Sequence, residues 1–113
     1  VHVLRDFRAH CTILIAVGAC AINGGVPAMR NYFDLQDCLQ EVYLNGTGVT
    51  NPQIPSDIEL PPLLDKVYPV SEVVPIDYFL PGCPPSADEF LQILEPLLTG
   101  HKPELPKSHV HYD

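Results

Sequence analysis

DYFLPGCPP at residues 77–85 is the most informative part of the sequence, and VGACAINGG at residues 17–25 is its counterpart earlier in the chain. In each stretch, an apolar run typical of a buried parallel strand ends in a glycine-containing turn that carries a cysteine, Cys83 or Cys20. Open α/β sheets bind their ligands beyond the carboxyl ends of the strands. The two stretches therefore predict two presented thiols that converge at one sheet edge, as half of the ligand shell of a metal cluster.

The turn around Cys83 is followed by Ser86 and, three residues later, by Glu89, which is the pattern of a capping box. A helix is therefore predicted to begin where the cysteine turn ends, with the positive end of its dipole near the thiol. Such a helix end favours an anionic cluster. Prolines on both sides of Cys83 restrict the backbone of the turn, which is expected to be stiff.

The rest of the chain predicts an alternation of helices and strands, and hence an α/β fold. Residues 1–10 are typical of the later part of an amphipathic helix, and residues 11–17 of an inner strand covered on both faces. Pro27 can start a helical turn, and Asp34 fits the N-cap of a clearer helix. Residues 76–80 return to the sheet.

The helix after Asp34 and the last helix each show apolar residues at helical spacing, which predicts one buried face on each. Gly100 is expected to end the last helix, and Pro96 to kink it or end it early. The predicted buried faces are Leu35, Cys38, Leu39 and Val42 on the first of these helices, and Phe90, Leu91, Leu94, Leu97 and Leu98 on the last.

The 113 residues are expected to form a single domain, 1–113, with one modest core. Residues 45–75 are an irregular, proline-rich excursion, which is expected to lie against another subunit because structureless loops of that length are uncommon within a domain. Residues 101–113 are a polar tail. The chain opens on Val1 within a helical pattern, so we interpret it as a carboxyl-terminal fragment with further residues before it.

The net charge of -8, with only six Lys and Arg residues, argues against a nucleic-acid or anionic-membrane surface. The longest apolar stretch, residues 13–17, is too short to span a bilayer, and no secretory signal pattern is present. The expected location is therefore cytoplasmic. In that reducing compartment, cysteines are more often metal ligands or buried hydrophobic residues than disulfide partners.

The four cysteines could in principle form one tetrahedral zinc site or iron-sulfur shell. The spacing disfavours this arrangement, because Cys38 lies on the apolar face of a helix and Cys11 at the buried start of a strand. Cys20 and Cys83 are therefore the candidate metal-binding and cofactor-binding residues, with two ligands still missing. A non-redox α/β interaction module, in which all four cysteines are structural, is the alternative from a different class.

Other charged residues carry weaker signals. Arg30 could pair with a carboxylate of a partner, Glu72 or Asp77 could relay protons, and the His-x-His pattern at residues 109–111 with Asp113 could bind a metal. In each case a solvated charge, a cap or a flexible tail is the more common role. No glycine-rich phosphate loop is present, so NAD is not expected to bind this chain directly.

The patterns GACAxxGG at residues 18–25 and PGCPP at residues 81–85 resemble those shared by nickel-iron hydrogenase small subunits and the cluster-bearing subunit of respiratory complex I. VPAMRN at residues 26–31 and VYPxxEVVPxDYF at residues 67–79 narrow the resemblance to the small subunit of soluble, cytoplasmic NAD-reducing (bidirectional) hydrogenases. It runs over essentially the whole chain and is weakest over residues 45–66. A Cys-x-x-Cys loop at the amino end of that family has no counterpart in the chain.

This resemblance implies one four-iron, four-sulfur (4Fe-4S) cluster, held by Cys20, Cys83 and two cysteines upstream, next to the nickel-iron centre of a hydrogenase large subunit. The chain would conduct electrons from H2 oxidation to a flavin and iron-sulfur diaphorase partner that reduces NAD, and would not be catalytic alone. FMN is left open as a further cofactor of the full subunit. The implied fold is a flavodoxin-like three-layer sheet with helices on both faces, incomplete at the amino-terminal side.

The alternative within redox proteins is the iron-sulfur subunit of respiratory complex I. That subunit resembles the chain in the two cysteine motifs, but usually has a shorter interval between them and an aromatic run in place of residues 26–31.

Overall fold

The computed structural model describes residues 1–104, which form α-helices, short 3-10 helices and two strands. The elements are α1 (His2–His10), β1 (Ile15–Val17), α2 (Ala19–Asn23), a 3-10 helix (Val26–Tyr32), α3 (Leu35–Tyr43), a second 3-10 helix (Val70–Glu72), β2 (Tyr78–Leu80) and α4 (Ala87–Leu98). Within this part of the chain, no helix is both long and apolar enough to cross a membrane.

The chain divides into two compact units. One unit comprises Val1–Val26 and the described residues from Tyr68 onward, and it contains both strands. The other unit is Pro27–Val67, and it contains α3. Residues 44–69 have no helix or strand. The fold is therefore a mixed α/β arrangement in which the first unit carries the sheet.

The strands β1 and β2 pair in parallel, with Ile15 opposite Tyr78 and Val17 opposite Leu80. The connection between them contains α2, the first 3-10 helix, α3, the irregular residues 44–69 and the second 3-10 helix. Such a long crossover is expected for parallel strands. The prediction of two parallel strands ending before the cysteine motifs is confirmed. The first strand is shorter than predicted, since Cys11 adopts an extended conformation as the C-cap of α1 and pairing starts only at Ile15.

Complete burial of the inner strand, as predicted, is wrong for the described residues. Ala16 is 3% exposed, but Val17 exposes 39% of its surface and Phe79 exposes 44%. The sheet here has two strands, so each strand has a free edge and part of each remains open. A continuous apolar run gives the hydrophobicity of a strand but does not give the number of layers that cover it.

The hydrophobic core of the described residues consists of Ala16, Val74, Leu80 and Ile93. Helix α4 contacts β2 and contributes Ile93 to this core. The predicted buried face of α4 is therefore wrong. Leu97 is half-buried, whereas the exposed members of that face are Phe90, Leu91, Leu94 and Leu98. The buried side of α4 includes Glu89 as well as Ile93, so it is not centred on the apolar face that the spacing predicted.

The buried face predicted for α3 is only half-buried, and Val42 is 59% exposed. The start of this helix agrees with the sequence. Asp34 is the N-cap, and its carboxylate accepts hydrogen bonds from the backbone N–H groups of Gln36 (2.7 Å) and Asp37 (3.4 Å). Such caps depend on neighbouring residues only, which explains why they are predictable where burial is not.

Both capping interactions predicted for α4 are present. The Ser86 N–H donates to the Glu89 carboxylate at 2.6 Å, and the Glu89 N–H donates to the Ser86 hydroxyl at 3.3 Å. The helix continues past Pro96 to Leu98, and Gly100 follows its C-cap in a left-handed conformation. The turn that carries Cys83 is thus followed directly by a helix whose first residues are fixed.

The guanidinium of Arg8 connects α1 to the segment before β2. One terminal nitrogen donates to the Asp77 carboxylate (2.5 Å) and to the carbonyl of Pro75 (3.3 Å). The other nitrogen donates to the carbonyls of Cys11 (2.9 Å) and Thr12 (3.2 Å). Residues 69 positions apart in sequence are therefore joined by one side chain.

The carboxylate of Asp77 also takes part in strand pairing. It accepts a hydrogen bond from the N–H of Leu14 at 2.8 Å, while the N–H of Asp77 donates to the carbonyl of Leu14 at 3.0 Å. Asp77 therefore holds both polar backbone groups of Leu14, at the point where β1 and β2 begin to pair. Asp77 therefore has a structural role at the start of the strand pair.

The Arg8–Asp77 pair predicts a pH dependence of stability. The hydrogen bond from Arg8 is the main cause that lowers the pKa of Asp77, and the hydrogen bond from the Leu14 N–H also lowers it. A carboxylate with a lowered pKa stabilises the folded state above its unfolded pKa of about 4 and loses that contribution as the pH falls through the folded pKa. In the assembled complex that contains the chain, denaturation from pH 7 to pH 3 should show a loss of stability below about pH 4 that Asp77→Asn reduces.

Glu59→Gln is the matched control for this prediction, because Glu59 is an exposed carboxylate whose side chain has no hydrogen bond within the described part of the chain. The Glu59→Gln complex should retain the acid-induced loss. An identical pH profile for wild type and Asp77→Asn would contradict the assignment of this pH dependence to Asp77.

The 113-residue chain expressed by itself should lack a cooperative thermal transition. The four buried hydrophobic residues of its described part form a small core, whereas large apolar side chains such as Phe7 (61%), Phe33 (69%) and Tyr32 (85%) are exposed. Exposed apolar surface of this kind either meets a partner or promotes aggregation. Differential scanning calorimetry and dye binding would test this expectation, and a monomer with a sharp, reversible melt would contradict it.

Candidate metal centre

The two cysteines singled out by the sequence occupy equivalent positions beyond the paired strands. Cys20 lies three residues after Val17, Cys83 lies three residues after Leu80, and Val17 and Leu80 are partners in the strand register. Both thiols are free and exposed, as predicted. Because parallel strands end at the same edge of a sheet, this register assigns both cysteines to that edge.

Backbone hydrogen bonds join the two cysteine segments beyond the ends of the strands. The N–H of Gly18 donates to the carbonyl of Leu80 at 2.8 Å, and the N–H of Ala19 donates to the carbonyl of Gly82 at 2.9 Å. Ala19 and Gly82 are the residues directly before Cys20 and Cys83. The backbone segments that lead into the two cysteines are therefore joined directly to each other.

Cys20 lies in the short helix α2, where the sequence predicted an irregular turn. Gly18 has a φ of 82° and is the N-cap, and its carbonyl accepts hydrogen bonds from the N–H groups of Ala21 and Ile22, both at 3.1 Å. The helix turns the chain sharply at the strand end. Cys83 lies in a turn without helix or strand and is followed by a cis peptide bond to Pro84.

Gly25 lies against Cys20, at a position where a side chain would be crowded and its backbone strained. A Cβ atom at this position would be 3.0 Å from the Cys20 Sγ and 3.1 Å from its N atom, and Gly25 has a φ of 49°. Its N–H donates to the side-chain carbonyl of Asn23 at 2.9 Å, which fixes the backbone beside the thiol. The chain therefore passes close to the sulfur and leaves it uncovered, the arrangement that a large inorganic group requires.

These features fit the binding of a cluster by two of its ligands. Thiolates are the ligands that iron-sulfur clusters use, and a cubane needs four of them. The described residues contain no group of three or more His, Cys, Asp and Glu side chains arranged to hold a metal. Residues 1–104 thus contribute two exposed thiols, Cys20 and Cys83, to a candidate site.

Cys11 and Cys38 lie in other elements than the two candidate ligands. Cys11 is the C-cap of α1 before the amino end of β1, and Cys38 lies within α3. Both are half-buried, so the prediction of full burial is wrong. Neither the end of α1 nor the face of α3 is completely covered by the described residues, which explains the remaining exposure.

The remaining candidates have local roles or lie outside the described residues. The guanidinium of Arg30 donates to the carbonyls of Leu64 (3.1 Å) and Asp65 (3.4 Å), so it holds its own chain within the second unit. Glu72 is exposed at the end of a 3-10 helix. His109, His111 and Asp113 lie outside the described residues.

Asn31 is a structural residue that sequence reasoning missed. Its side-chain amide donates to the carbonyl of Val67 at 2.9 Å, and its side-chain carbonyl accepts from the Val67 N–H at 2.7 Å. Both residues lie in motifs quoted above, at 26–31 and 67–79. No local sequence pattern links an amide side chain to a backbone group 36 residues away. The only indication of this contact in the sequence was that both motifs occur in one chain.

Comparison with known proteins identifies the family of the chain. Residues 1–97 match the family model described as NADH ubiquinone oxidoreductase, 20 Kd subunit. The chain is 48% identical over 116 residues to the NAD-reducing hydrogenase HoxS subunit delta of Cupriavidus necator, with 100% of this chain and 56% of that protein covered. It is 33% identical over 102 residues to the sulfhydrogenase 2 subunit delta of Pyrococcus furiosus, covering 89% of this chain and 37% of that protein.

A solved hydrogenase structure is also similar to the chain. A chain in the crystal structure of NAD+-reducing [NiFe]-hydrogenase in the H2-reduced state matches with a TM-score of 0.94 and 44% identity, over 99% of this chain and 64% of that chain. The chain therefore spans less than two thirds of the length of each of these relatives. A family match over residues 1–97, together with 48% identity along the whole chain, shows that the chain belongs to the family of the NADH ubiquinone oxidoreductase 20 Kd subunit and is homologous to a subunit of NAD-reducing hydrogenase.

Proposed function

We propose that the chain is the electron-transfer part of a nickel-iron hydrogenase subunit, and that Cys20 and Cys83 are two of the four ligands of a 4Fe-4S cluster. The observation that carries this proposal is their equivalent placement, each three residues beyond a register partner in two parallel strands. The 48% identity to a subunit of an NAD-reducing hydrogenase supports H2 oxidation coupled to NAD reduction as the reaction that supplies and uses the electrons. When bound, the cluster accepts and passes on single electrons.

The residues of the chain would hold the cluster and set its environment. The Sγ atoms of Cys20 and Cys83 bind iron, while Gly25 leaves space beside the first sulfur. The hydrogen bonds between the two cysteine segments would hold the backbone on either side of the cluster together. Hydrogen bonds and exposure around the sulfurs tune the reduction potential of such clusters, so these segments would also adjust the driving force.

The proposed partners are a hydrogenase large subunit with the nickel-iron centre, which oxidises H2, and diaphorase subunits that carry flavin and reduce NAD. The two missing ligands would come from outside this chain, and FMN is left open as a cofactor of the full subunit. The exposed apolar side chains support burial against a large partner. In that complete protein we expect the flavodoxin-like three-layer sheet, and we expect a cytoplasmic location.

The family match also supports a second candidate function, because the matching family is described as the 20 Kd subunit of NADH ubiquinone oxidoreductase. In that function the chain would carry electrons from NADH toward a quinone. The two candidates share the cluster and differ in the electron donor. A complex whose cluster responds to NADH and never to H2 would favour this second function.

The test uses the assembled complex that contains the chain. Under H2 we expect the visible charge-transfer absorption of the oxidised protein to bleach, a low-temperature electron spin resonance signal to appear, and NAD to be reduced. A matched sample under argon is the control. A colourless complex without a cluster signal would contradict the proposal and would leave the non-redox interaction module as the better description.

A further inference from the structure

We infer that Arg8 and Asp77 are positioning residues for the cluster ligands, an inference that rests on the proposed function. They fix the register of β1 and β2 at the amino end of the strand pair. The register in turn sets the offset between Cys20 and Cys83 at the carboxyl end.

The strand pair has little of its own to hold its register. Each strand is three residues long, and the described sheet contains only these two strands. Two-stranded sheets are marginally stable without further packing, and a slip by one residue turns every side chain to the other face. Interactions just outside the strands therefore contribute strongly to the stability of the observed register relative to other registers.

Asp77 supplies such an interaction at the first position before the paired strands. Its carboxylate accepts from the Leu14 N–H at 2.8 Å, and its N–H donates to the Leu14 carbonyl at 3.0 Å. A one-residue slip would separate Leu14 from both groups. The carboxylate thus extends the backbone ladder by one residue and makes the observed register the one with satisfied hydrogen bonds.

Arg8 holds the carboxylate in the orientation that this contact requires. Its two terminal nitrogens donate four hydrogen bonds, to the Asp77 carboxylate and to three backbone carbonyls on either side of the pair. The planar fork of a guanidinium can make these bonds at once, whereas the ammonium of a lysine is a point charge with a different geometry. The side chain of Arg8 is 21% exposed, so it is more enclosed than a typical surface ion pair.

The geometric consequence at the cysteines is large. A slip by one residue would move Cys20 relative to Cys83 by about 3.3 Å, the rise of one strand residue. Metal-ligand distances tolerate deviations of only about 0.2 Å. The offset between the two thiols must therefore be selected before the cluster binds, and the contacts of Arg8 and Asp77 at the far end of the strands select it.

The experiment compares Asp77→Ala, Asp77→Asn and Arg8→Gln in the assembled complex, with Arg5→Gln as the matched control. Arg5 lies on the same helix, is exposed, and has no side-chain hydrogen bond or ion pair to the residues that the structure describes. The readouts are the reduction potential and electron spin resonance line shape of the cluster, and hydrogen exchange at the amides of Gly18 and Ala19. Exchange in α4 reports on overall stability.

For Asp77→Ala and Arg8→Gln we expect a shifted cluster potential, an altered line shape, and several-fold faster exchange at Gly18 and Ala19 with little change in α4. Asp77→Asn should restore much of the wild-type behaviour, because its amide oxygen can still accept from the Leu14 N–H. Arg5→Gln should match the wild type. If Asp77→Ala fails to assemble, Arg8→Gln decides the question, and Asp77→Asn is the variant expected to resemble the wild type.

Unchanged cluster properties and unchanged exchange in Asp77→Ala and Arg8→Gln would overturn the inference. Equal acceleration of exchange at α4 and at Gly18 would also overturn it, because that result indicates only a general loss of stability. Failure of the proposed function has a different signature. In that case the wild-type complex itself lacks the cluster signal, while exchange at Gly18 and Ala19 still shows whether Asp77 fixes the register.

Discussion

In the assembled complex, Cys83→Ser should abolish or strongly alter the cluster signal and stop hydrogen-dependent NAD reduction. Serine preserves most of the volume of the side chain but replaces a soft thiolate with a hard, poorly ionised hydroxyl, which is a weak ligand for iron-sulfur clusters. Cys83 is exposed beyond the end of β2, so the substitution removes no core packing. Low-temperature electron spin resonance of the reduced complex and an NAD reduction assay are the two measurements.

Cys38→Ser is the matched control, since it makes the same chemical change at a half-buried position within α3. We expect a cost of at most about 1–3 kcal/mol for a partly buried hydroxyl without a partner. The cluster signal and the electron flow should be normal. If the Cys83→Ser complex retained both while the Cys38→Ser complex lost both, the assigned roles of the two cysteines would be reversed.

The second large effect is expected for Gly82→Ala, at the residue directly before Cys83. The added Cβ would lie 2.6 Å from the Pro85 Cα and 2.7 Å from the Pro85 N, and these backbone atoms cannot rotate away. Gly82 also has a φ of 130°, which side chains rarely permit. Backbone strain and overpacking of about 1–3 kcal/mol each should together cost about 3 kcal/mol or more. The turn must shift, so the cluster signal should change as well.

Gly48→Ala separates the two causes of this loss. Gly48 has a φ of 86°, but no atom lies within 4 Å of an added Cβ, so only backbone strain of about 1–2 kcal/mol is expected. Denaturation of the assembled complexes would compare the stabilities, and electron spin resonance would compare the clusters. Equal stability losses in both variants, with a normal cluster in Gly82→Ala, would show that the close contact to Pro85 does not shape the cysteine turn.

Features that depend only on neighbouring residues were predictable from the amino-acid sequence. Asp34 and the Ser86–Glu89 pair were identified as caps because a cap is formed within one turn of a helix. The two strand ends were located because an apolar run followed by a glycine and a cysteine is a local pattern. The motifs around Cys20 and Cys83 also gave the family, which the comparisons confirm.

The buried faces and the contacts between distant groups could be seen only in the folded chain. Leu91 and Leu94 have the same local pattern as Ile93, yet only Ile93 is buried, because burial depends on what lies opposite a side chain. The contact of Arg8 with Asp77 joins residues 69 positions apart. The residues around a charge or an amide do not reveal its hydrogen-bond partner, because that partner can lie far away in the sequence. Which distant residues come into contact is determined by the whole fold.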